Sequence, residues 1–256
     1  MIQTMSQTNL DRFQNLDFAG FKELAKDETL SPHEKIGFPD SYRAGKEADI
    51  FQDVLGKMPN LKREKQTVVD IGAGCGTLAF LLIEYCLEKN DTLVLIDSEE
   101  MLAQLPNDKK IIKIPAYYPD DCRDFLDEYA GKADAVLTYS VLHYVFEEGN
   151  LFKFLDATLG LLEVGGECLI GDVPNISKRK RFFSSPTGVR FHQEFMNTED
   201  LPQVEFNRIE SGQMDDAVLM SLMSRARQSG FDAYILPQFE NLPMANRRED
   251  IFIKRP

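Results

Sequence analysis

An acidic residue and three glycines near position 70 have the types and order of a ligand-binding turn. An apolar run from Thr67 contains Asp70 and stops at Gly72, and Gly74 and Gly76 follow at alternate positions. Glycines let a backbone turn sharply and leave room for a ligand against it. Apolar residues at helical spacing come next. The stretch therefore predicts a buried strand, a tight binding turn and a helix.

Two nucleotide-like ligands are compatible with a glycine turn of this kind. Dinucleotide sites show G-x-G-x-x-G, in which the third glycine permits close helix packing beside the pyrophosphate. Here Thr77 occupies that third position, and the spacing is Gly72-x-Gly74-x-Gly76. S-Adenosylmethionine carries a sulfonium and an ammonium and has no pyrophosphate. Asp70 suits that cation and would repel a phosphate, so the residues favour S-adenosylmethionine.

Residues 69–76, Val-Asp-Ile-Gly-Ala-Gly-Cys-Gly, resemble the first motif of class I S-adenosylmethionine-dependent methyltransferases. The resemblance implies that S-adenosyl-L-methionine is the cofactor. It also implies that Asp70, Gly72, Ala73 and Gly74 bind it.

Asp97 ends a second apolar run, 92–97, and follows Gly74 at close to the separation of about 20 residues at which an acid reaches a ribose. A carboxylate can accept hydrogen bonds from both ribose hydroxyls, whereas capping of the next helix is the alternative role. The stretch is similar to the second motif of the family. The similarity implies that Asp97, Ser98 and Met101 belong to the cofactor site.

The third predicted strand, 111–114, departs from the family pattern. The family often places an acidic residue directly after this strand to meet the adenine amino group, whereas this chain continues with Ala116 and Tyr117 one residue later. We expect Ala116 and Tyr117 beside the cofactor. Adenine would then be held by backbone amides, by stacking on Tyr117, or by Asp120 or Asp121.

The segment 31–43 is irregular, because it contains two prolines and a glycine. In many class I enzymes the segment before the first strand closes over the methionine end of the cofactor. We therefore place Tyr42 and Arg43 in the cofactor site, where Arg43 could fork the carboxylate. An exposed loop with ordinary surface charge is the alternative.

Polar residues follow the predicted fourth strand, 133–139. Ligands of open α/β sheets bind at the carboxyl ends of strands near the point where strand order reverses. We therefore expect Tyr139 and Ser140 beside the cofactor and Tyr144 beside the acceptor. His143 is a candidate general base, and a hydrogen bond back to a backbone carbonyl is its alternative role.

Two further acid–base candidates come later in the chain. Asp172 ends the predicted fifth strand and would face the acceptor, or would instead cap a helix. His192 lies in the insertion that follows, and is a secondary candidate.

A run of four basic residues lies in that insertion of an otherwise acidic protein. It could form a wall for an anionic acceptor, although a charge run is usually a solvated surface. The substrate-binding candidates of this region are Asn175, Lys178, Arg179 and Arg181.

The totals restrict the class of protein. The chain has 256 residues, 43% of them hydrophobic, and a formal charge of −13. This charge argues against nucleic acid as a partner, because phosphate binding needs clustered positive charge. No apolar run is long enough to span a bilayer, the first residues lack the features of a signal peptide, and the cysteines and histidines form no metal-ligand pattern. We expect a cytoplasmic location, no metal, no nucleic-acid or membrane partner, and a homodimer as one possible assembly.

We expect an α/β fold with a doubly wound, mostly parallel seven-stranded sheet, an antiparallel last strand, N-terminal helices and an insertion after strand 5 that forms a cap. The expected domains are an N-terminal helical lid, 1–60, and a cofactor-binding domain, 61–256, with the cap at about 173–213.

The expected activity is methyl transfer, most simply O-methylation, to a small anionic or sugar-linked acceptor. Residues 32–43 and 171–183 resemble those of bacterial methyltransferases associated with surface-polysaccharide assembly, which implies that setting. A nicotinamide-dependent oxidoreductase and a non-catalytic binding protein with the same fold are the alternatives.

Overall fold

The computed structural model describes residues 16–38 and 45–256. Seven strands form one sheet in the order β3-β2-β1-β4-β5-β7-β6. β7 runs antiparallel to both of its neighbours, and β1 to β5 are parallel. The predicted fold class is confirmed. The strands are β1 Thr67–Ile71, β2 Thr92–Asp97, β3 Ile111–Pro115, β4 Ala133–Tyr139, β5 Leu162–Pro174, β6 Asp232–Pro237 and β7 Arg248–Lys254.

The central strands are apolar along almost their whole length. In β1, β2 and β4 nearly every residue is buried, because helices cover both faces of a parallel sheet. β5 is longer than its sequence pattern indicates. It begins at Leu162, which pairs with Ala133, and continues through two glycines that interrupt the apolar pattern.

Helices of two sets cover the two faces of the sheet. The helices are α1 Phe18–Lys26, α2 Pro32–Lys35, α3 Glu47–Lys57, α4 Thr77–Glu88, α5 Glu99–Leu102, α6 Arg123–Tyr129, α7 Leu142–Glu148, α8 Leu151–Leu161, α9 Ile176–Phe183, α10 Pro186–Met196 and α11 Asp216–Gln228. One apolar core joins α3 and α4 to the sheet, and the other joins α6, α8 and α11 to the opposite face. In the part of the chain that the structure describes, no helix combines the length and apolarity needed to cross a membrane.

The helices before β1 divide into two groups. Ile50 and Val54 of α3 are fully enclosed in the core, so α3 belongs to the helical layer of the main domain. α1 and α2 instead lie near the carboxyl ends of the strands, and α2 is a single turn capped reciprocally by Ser31 and Glu34. The expected helical lid, 1–60, includes both groups, and its residues 1–15 and 39–44 lie outside the described part.

The insertion after β5 contains α9 and α10. The Asn175 side chain caps α9 by accepting from the N–H groups of Ser177 and Lys178. It also donates to Asp216 at the start of α11 and to Glu249 of β7. Asn175 therefore fixes where the insertion leaves the sheet.

A buried cluster of charges connects α3 to the last strands. Lys57 Nζ lies 2.5 Å from an Asp53 oxygen and 2.6 Å from an Asp250 oxygen, and both aspartates are fully buried. Burial raises the pKa of both aspartates, and the Lys57 charge opposes this. Asp250 in turn accepts from the Asp172 N–H at 2.8 Å. The cluster therefore positions the backbone at the end of β5.

Replacing the central cation of this cluster should destabilise the fold. We expect Lys57→Met to lower the free energy of unfolding by about 3 kcal/mol, because two buried carboxylates lose their counter-charge. Urea denaturation measures the change. The control is Lys62→Met at an exposed position, which should stay within about 0.5 kcal/mol of the parent. Equal stability of the two variants would contradict a supporting role for Lys57.

Candidate functional site

A cleft of about 1050 Å³ lies at the carboxyl ends of β1, β2 and β4. β1 is the central strand of this group, with β2 on one side and β4 on the other, so strand order reverses beside it. Nine of the predicted cofactor residues line the cleft. Five come from the glycine turn, the end of β2 and α5, and four come from the ends of β3 and β4. These residues are Gly72, Ala73, Gly74, Asp97, Met101, Ala116, Tyr117, Tyr139 and Ser140.

The glycine turn after β1 has no room for side chains. Gly72 has a φ of +73°, and a Cβ there would lie 2.5 Å from Cγ2 of Val141. At Gly76 a Cβ would lie 2.7 Å from Cδ1 of Ile36. The turn is thus enclosed between the start of α7 and the segment after α2, and the positive φ and the close Val141 side chain require glycine at Gly72.

Asp97 ties the end of β2 to the glycine turn. Its carboxylate accepts from the Gly74 N–H at 2.8 Å and from the Ser98 N–H at 2.6 Å. Burial raises the pKa of Asp97, and these hydrogen bonds oppose the rise. Ser98 is buried and accepts from the Met101 N–H, so it caps α5 and does not line the cleft.

Asp70 lies beneath the turn. Its side chain is 5% exposed and does not line the cleft. Burial raises the pKa of Asp70 to about 7, and the Asp97 charge adds to the effect. Asp70 therefore acts on the cleft through its charge, which titrates near neutral pH.

Among the predicted adenine alternatives, the structure places the two acidic side chains away from the cleft and leaves backbone amides and Tyr117 beside it. Tyr117 lines it, whereas Asp120 is exposed and pairs with Lys153. Asp121 is also exposed, and its N–H donates to the Tyr117 carbonyl to close a turn.

Four apolar residues from the N-terminal segment line the opposite wall of the cleft: Phe18, Phe21, Ile36 and Phe38. Phe18 packs edge-on against Tyr117 with ring centroids 5.1 Å apart, and Phe21 packs in the same way against Tyr144 at 4.9 Å. α1 carries an apolar stripe, and a helical lid was expected over 1–60, but none of these four residues was named as a site residue. Tyr42 and Arg43 lie outside the described residues.

Hydrogen bonds attach this N-terminal segment to the segment that follows α5. Lys35 Nζ donates to Gln104 Oε1 at 2.8 Å, and Gln104 Nε2 donates to the Ala25 carbonyl at 2.9 Å. Ala25 also joins the apolar core that contains α3, and Lys22 and Lys26 lie near Glu100 of α5. The segment 18–38 is therefore held over the cleft by both apolar and polar contacts.

Ser140 and Asp172 form a pair at the ends of β4 and β5. The Ser140 hydroxyl donates to Asp172, and Arg248 Nη1 lies 2.9 Å from the same carboxylate oxygen. Both residues have positive φ values, +61° and +60°, which L-residues adopt only where surrounding contacts enforce them. Ser140 lines the cleft and Asp172 lies behind it, so Asp172 acts on the cleft through Ser140. Sequence reasoning missed Arg248, which reaches the pair from β7.

The two predicted histidines occupy different places. The His143 ring lies against Tyr144 with centroids 3.9 Å apart, and its side chain does not line the cleft. His192 lines a second cavity under α9 and α10. The structure therefore does not bring the two histidines together.

Basic side chains of the run contact nearby polar groups of the protein. Lys178 Nζ donates to the Arg248 carbonyl at 2.8 Å, and burial lowers the pKa of Lys178. Arg181 makes an exposed ion pair with Asp216. These contacts of Lys178 and Arg181, like those of Asn175, hold the insertion, and the role of the three residues in a substrate wall stays a prediction. Arg179 alone of the predicted anion-binding residues lines the second cavity.

The arrangement is shared with solved structures, although no protein-family model and no curated protein sequence matches the chain. The plantazolicin methyltransferase BpumL, solved with SAH (S-adenosylhomocysteine), aligns with a TM-score of 0.56 and 14% identity over 98% of this chain and 99% of that one. A SAM-dependent methyltransferase from Aquifex aeolicus aligns with a TM-score of 0.52 and 11% identity over 89% of this chain and 100% of that one. The CurJ carbon methyltransferase aligns with a TM-score of 0.54 and 15% identity over 97% of this chain and 66% of that one.

The chain has the fold of these methyltransferases. Their identities to it are low, so the likeness establishes the backbone architecture, and the chemistry has to be argued from the side chains of the site.

The raised pKa of Asp70 predicts a pH-dependent stability. An acid whose folded-state pKa exceeds its unfolded value stabilises the fold at low pH and loses that contribution as the pH rises through the folded pKa. Relative to Asp70→Asn, the parent should lose up to about 1.4 kcal/mol of unfolding free energy per pH unit between about pH 5 and pH 7. Urea denaturation at several pH values in this range measures the difference in unfolding free energy between the two proteins. The slope of this difference against pH is unaffected by any pH-independent difference in their stability.

The control for this experiment is Glu84→Gln, which removes an exposed carboxylate on α4. If the parent shows the same slope against both variants, burial of Asp70 is not the cause.

Proposed function

We propose that this protein is an S-adenosylmethionine-dependent methyltransferase that acts on a small molecule. The observation that carries the proposal is the hydrogen bond that joins Asp97 to the Gly74 N–H, at the strand end where a ribose would meet both a carboxylate and a glycine turn. The fold that the chain shares with solved methyltransferases supports the same conclusion.

The residues of the cleft fit this cofactor by charge and by shape. Asp97 and Glu148 are the charged side chains among the described residues that line it, and Asp70 lies below. Such a site attracts a sulfonium and an ammonium, and it offers no basic side chain from its described lining to a diphosphate.

When bound, the cofactor supplies a methyl group that its positive sulfur already activates for in-line displacement. The chain then has to orient two reactants and exclude water. Asp97 would accept from the ribose hydroxyls, and the turn at Gly72 and Gly74 would bring the backbone against the ligand. Tyr117 would stack on the adenine from the end of β3.

Ser140 is placed to orient the acceptor. Because its hydroxyl proton is donated to Asp172, the Ser140 oxygen faces a substrate as a hydrogen-bond acceptor. The Ser140 oxygen would take the proton of an acceptor hydroxyl while its own hydroxyl proton passes to the Asp172 carboxylate, which leaves the acceptor oxygen with the electron pair that attacks the methyl group. This arrangement supports O-methylation. A small anionic or sugar-linked acceptor and a surface-polysaccharide setting stay predictions from the sequence.

The lid in this proposal is narrower than the predicted domain 1–60. Segment 18–38 covers the cleft with aromatic side chains, and we assign the lid to it, while α3 belongs to the main domain. The cap at 173–213 would lie over the acceptor, because it leaves the sheet from the carboxyl end of β5.

Calorimetry tests the proposed cofactor. We expect S-adenosylmethionine and S-adenosylhomocysteine to bind and NAD not to bind. Asp97→Ala should weaken S-adenosylhomocysteine binding by about 10-fold or more, because charge-assisted hydrogen bonds are lost. The control is Glu99→Ala, two residues away and exposed. Binding of NAD in place of S-adenosylhomocysteine would refute the proposal.

The lid assignment predicts an effect on the release of the cofactor. Phe18→Ala removes the ring that packs on Tyr117, so we expect the dissociation rate of S-adenosylhomocysteine to rise several-fold. Stopped-flow displacement measures this rate. Glu23→Ala, at an exposed position of the same helix, should leave it unchanged. An unchanged rate in Phe18→Ala would remove α1 from the lid.

A further inference from the structure

Glu148 brings a carboxylate to the cleft from the last residue of α7. Tyr144, Val145 and Glu148 all line the cleft, because residues three and four positions apart share one face of a helix. Asp97 is the other acidic residue among the described residues that line it, and its carboxylate is already held by two backbone N–H groups. Within this described lining, Glu148 is therefore the acid whose role the contacts of the glycine turn do not explain.

The Glu148 carboxylate lies at a corner of the cleft that Tyr117 and Phe18 form. It accepts from the Phe18 N–H at the start of α1, and the Phe18 ring packs edge-on against Tyr117 with centroids 5.1 Å apart. The next residue, Gly149, is so close to Tyr117 that a Cβ there would lie 3.7 Å from the Tyr117 hydroxyl oxygen. Burial raises the pKa of Tyr117, and the negative charge of Glu148 raises it further. These contacts place the carboxylate beside the Tyr117 side chain.

The same corner lies where the base of a bound nucleoside would be. The strand order β3-β2-β1-β4 puts the glycine turn on one side of Asp97 and the end of β3 on the other. With its ribose at Asp97 and its sulfonium over the turn, the cofactor would extend its adenine toward Ala116 and Tyr117, which line the cleft after β3. The Ala116 N–H donates to the Asp97 carbonyl at 3.0 Å, so this backbone lies directly beside the ribose position. The base would therefore reach the corner at which Glu148 lies.

The amino group of adenine carries two N–H donors and needs an acceptor at this corner. An ionised carboxylate only accepts, and its oxygens offer about four lone-pair sites, so Glu148 can bind the amino group and keep the Phe18 N–H. The acids that follow β3 in the sequence are placed elsewhere. Asp120 pairs with Lys153, and neither Asp120 nor Asp121 lines the cleft.

We propose that Glu148 binds the amino group of adenine and so selects the base of the cofactor. The inference rests on the proposed methyltransferase function and adds a base-specificity residue to it. A base with a carbonyl oxygen in place of the amino group would set that oxygen against the carboxylate, and the two acceptors would repel each other. The acid that the sequence lacks directly after β3 is thus supplied from the end of α7.

S-Inosylhomocysteine tests this assignment. It differs from S-adenosylhomocysteine by a carbonyl oxygen in place of the amino group and a ring N–H in place of a bare ring nitrogen. Calorimetry on the full chain measures the dissociation constants of the two ligands. We expect the parent to bind S-adenosylhomocysteine about 10-fold or more tightly than the inosine analogue, because the analogue leaves a carboxylate facing an acceptor.

Variants of Glu148 locate the source of this preference. Glu148→Ala should weaken S-adenosylhomocysteine binding by about 10-fold and bring the two dissociation constants to within about 2-fold of each other. Glu148→Gln should lower or reverse the preference, because an amide can donate to the carbonyl of the analogue. The matched control is Glu147→Gln, which removes the same charge at the preceding residue of α7. Glu147 is exposed and does not line the cleft, so this variant should keep the preference of the parent.

The ratio of the two dissociation constants separates recognition of the base from a general loss of binding, because a structural defect would weaken both ligands equally. A preference for S-adenosylhomocysteine that persists in Glu148→Ala would overturn the inference and assign the amino group to a backbone carbonyl. Equal binding of the two ligands by the parent would overturn it as well. In both cases S-adenosylhomocysteine still binds, so the proposed function stands. Failure of S-adenosylhomocysteine to bind the parent would instead refute the proposed function, and the inference with it.

Discussion

The hydrogen bond between the Gly74 N–H and the Asp97 carboxylate is the contact on which the cleft depends. It joins the turn after β1 to the end of β2, and it holds at 2.8 Å because the two strands are parallel neighbours in register from Thr67 to Ile71. The turn can approach Asp97 only with glycine at Gly72, where φ is positive and Val141 leaves no room for a Cβ. One local geometry thus sets the shape of the cleft and its negative charge.

A series of buried charges also supports the wall of the cleft at the ends of β4 and β5. Lys57 neutralises Asp53 and Asp250, and Asp250 holds the backbone of Asp172. Burying any of these carboxylates without a partner would cost free energy. Each contact in the series therefore depends on the one before it. Its last member, Ser140, lies at the wall of the cleft. A helix on one face of the sheet therefore supports a side chain at the wall of the cleft.

The solved structures that share this fold show how much the fold leaves open. One of them is a carbon methyltransferase and another is a plantazolicin methyltransferase, at identities of 15% and 14% to this chain. The same sheet thus carries acceptors of different chemistry. In this chain the cap helices and the residue before β7 line the second cavity, which has no lining residue in common with the cleft.

The sequence by itself determined the sheet and the turn. Strands β2 and β4 were predicted with their observed bounds, and Asp97 and the glycines were placed together, because these features depend on short-range spacing along a strand, a turn and a helix. The apolar stripe of α1 also indicated a covering helix. The ends of β5 were harder to predict, since its pairing with β4 overrides the two glycines that interrupt its pattern.

Only the tertiary structure decided the roles of the charged residues. Lys178, Arg179 and Arg181 are near neighbours in sequence, yet one is held by a carbonyl, one lines a cavity and one pairs with Asp216. Arg248 reaches the Ser140–Asp172 pair because β7 inserts antiparallel between β5 and β6. A charge acts through whatever lies within a few ångströms of it, and for these residues those neighbours come from strands and helices far away in the chain.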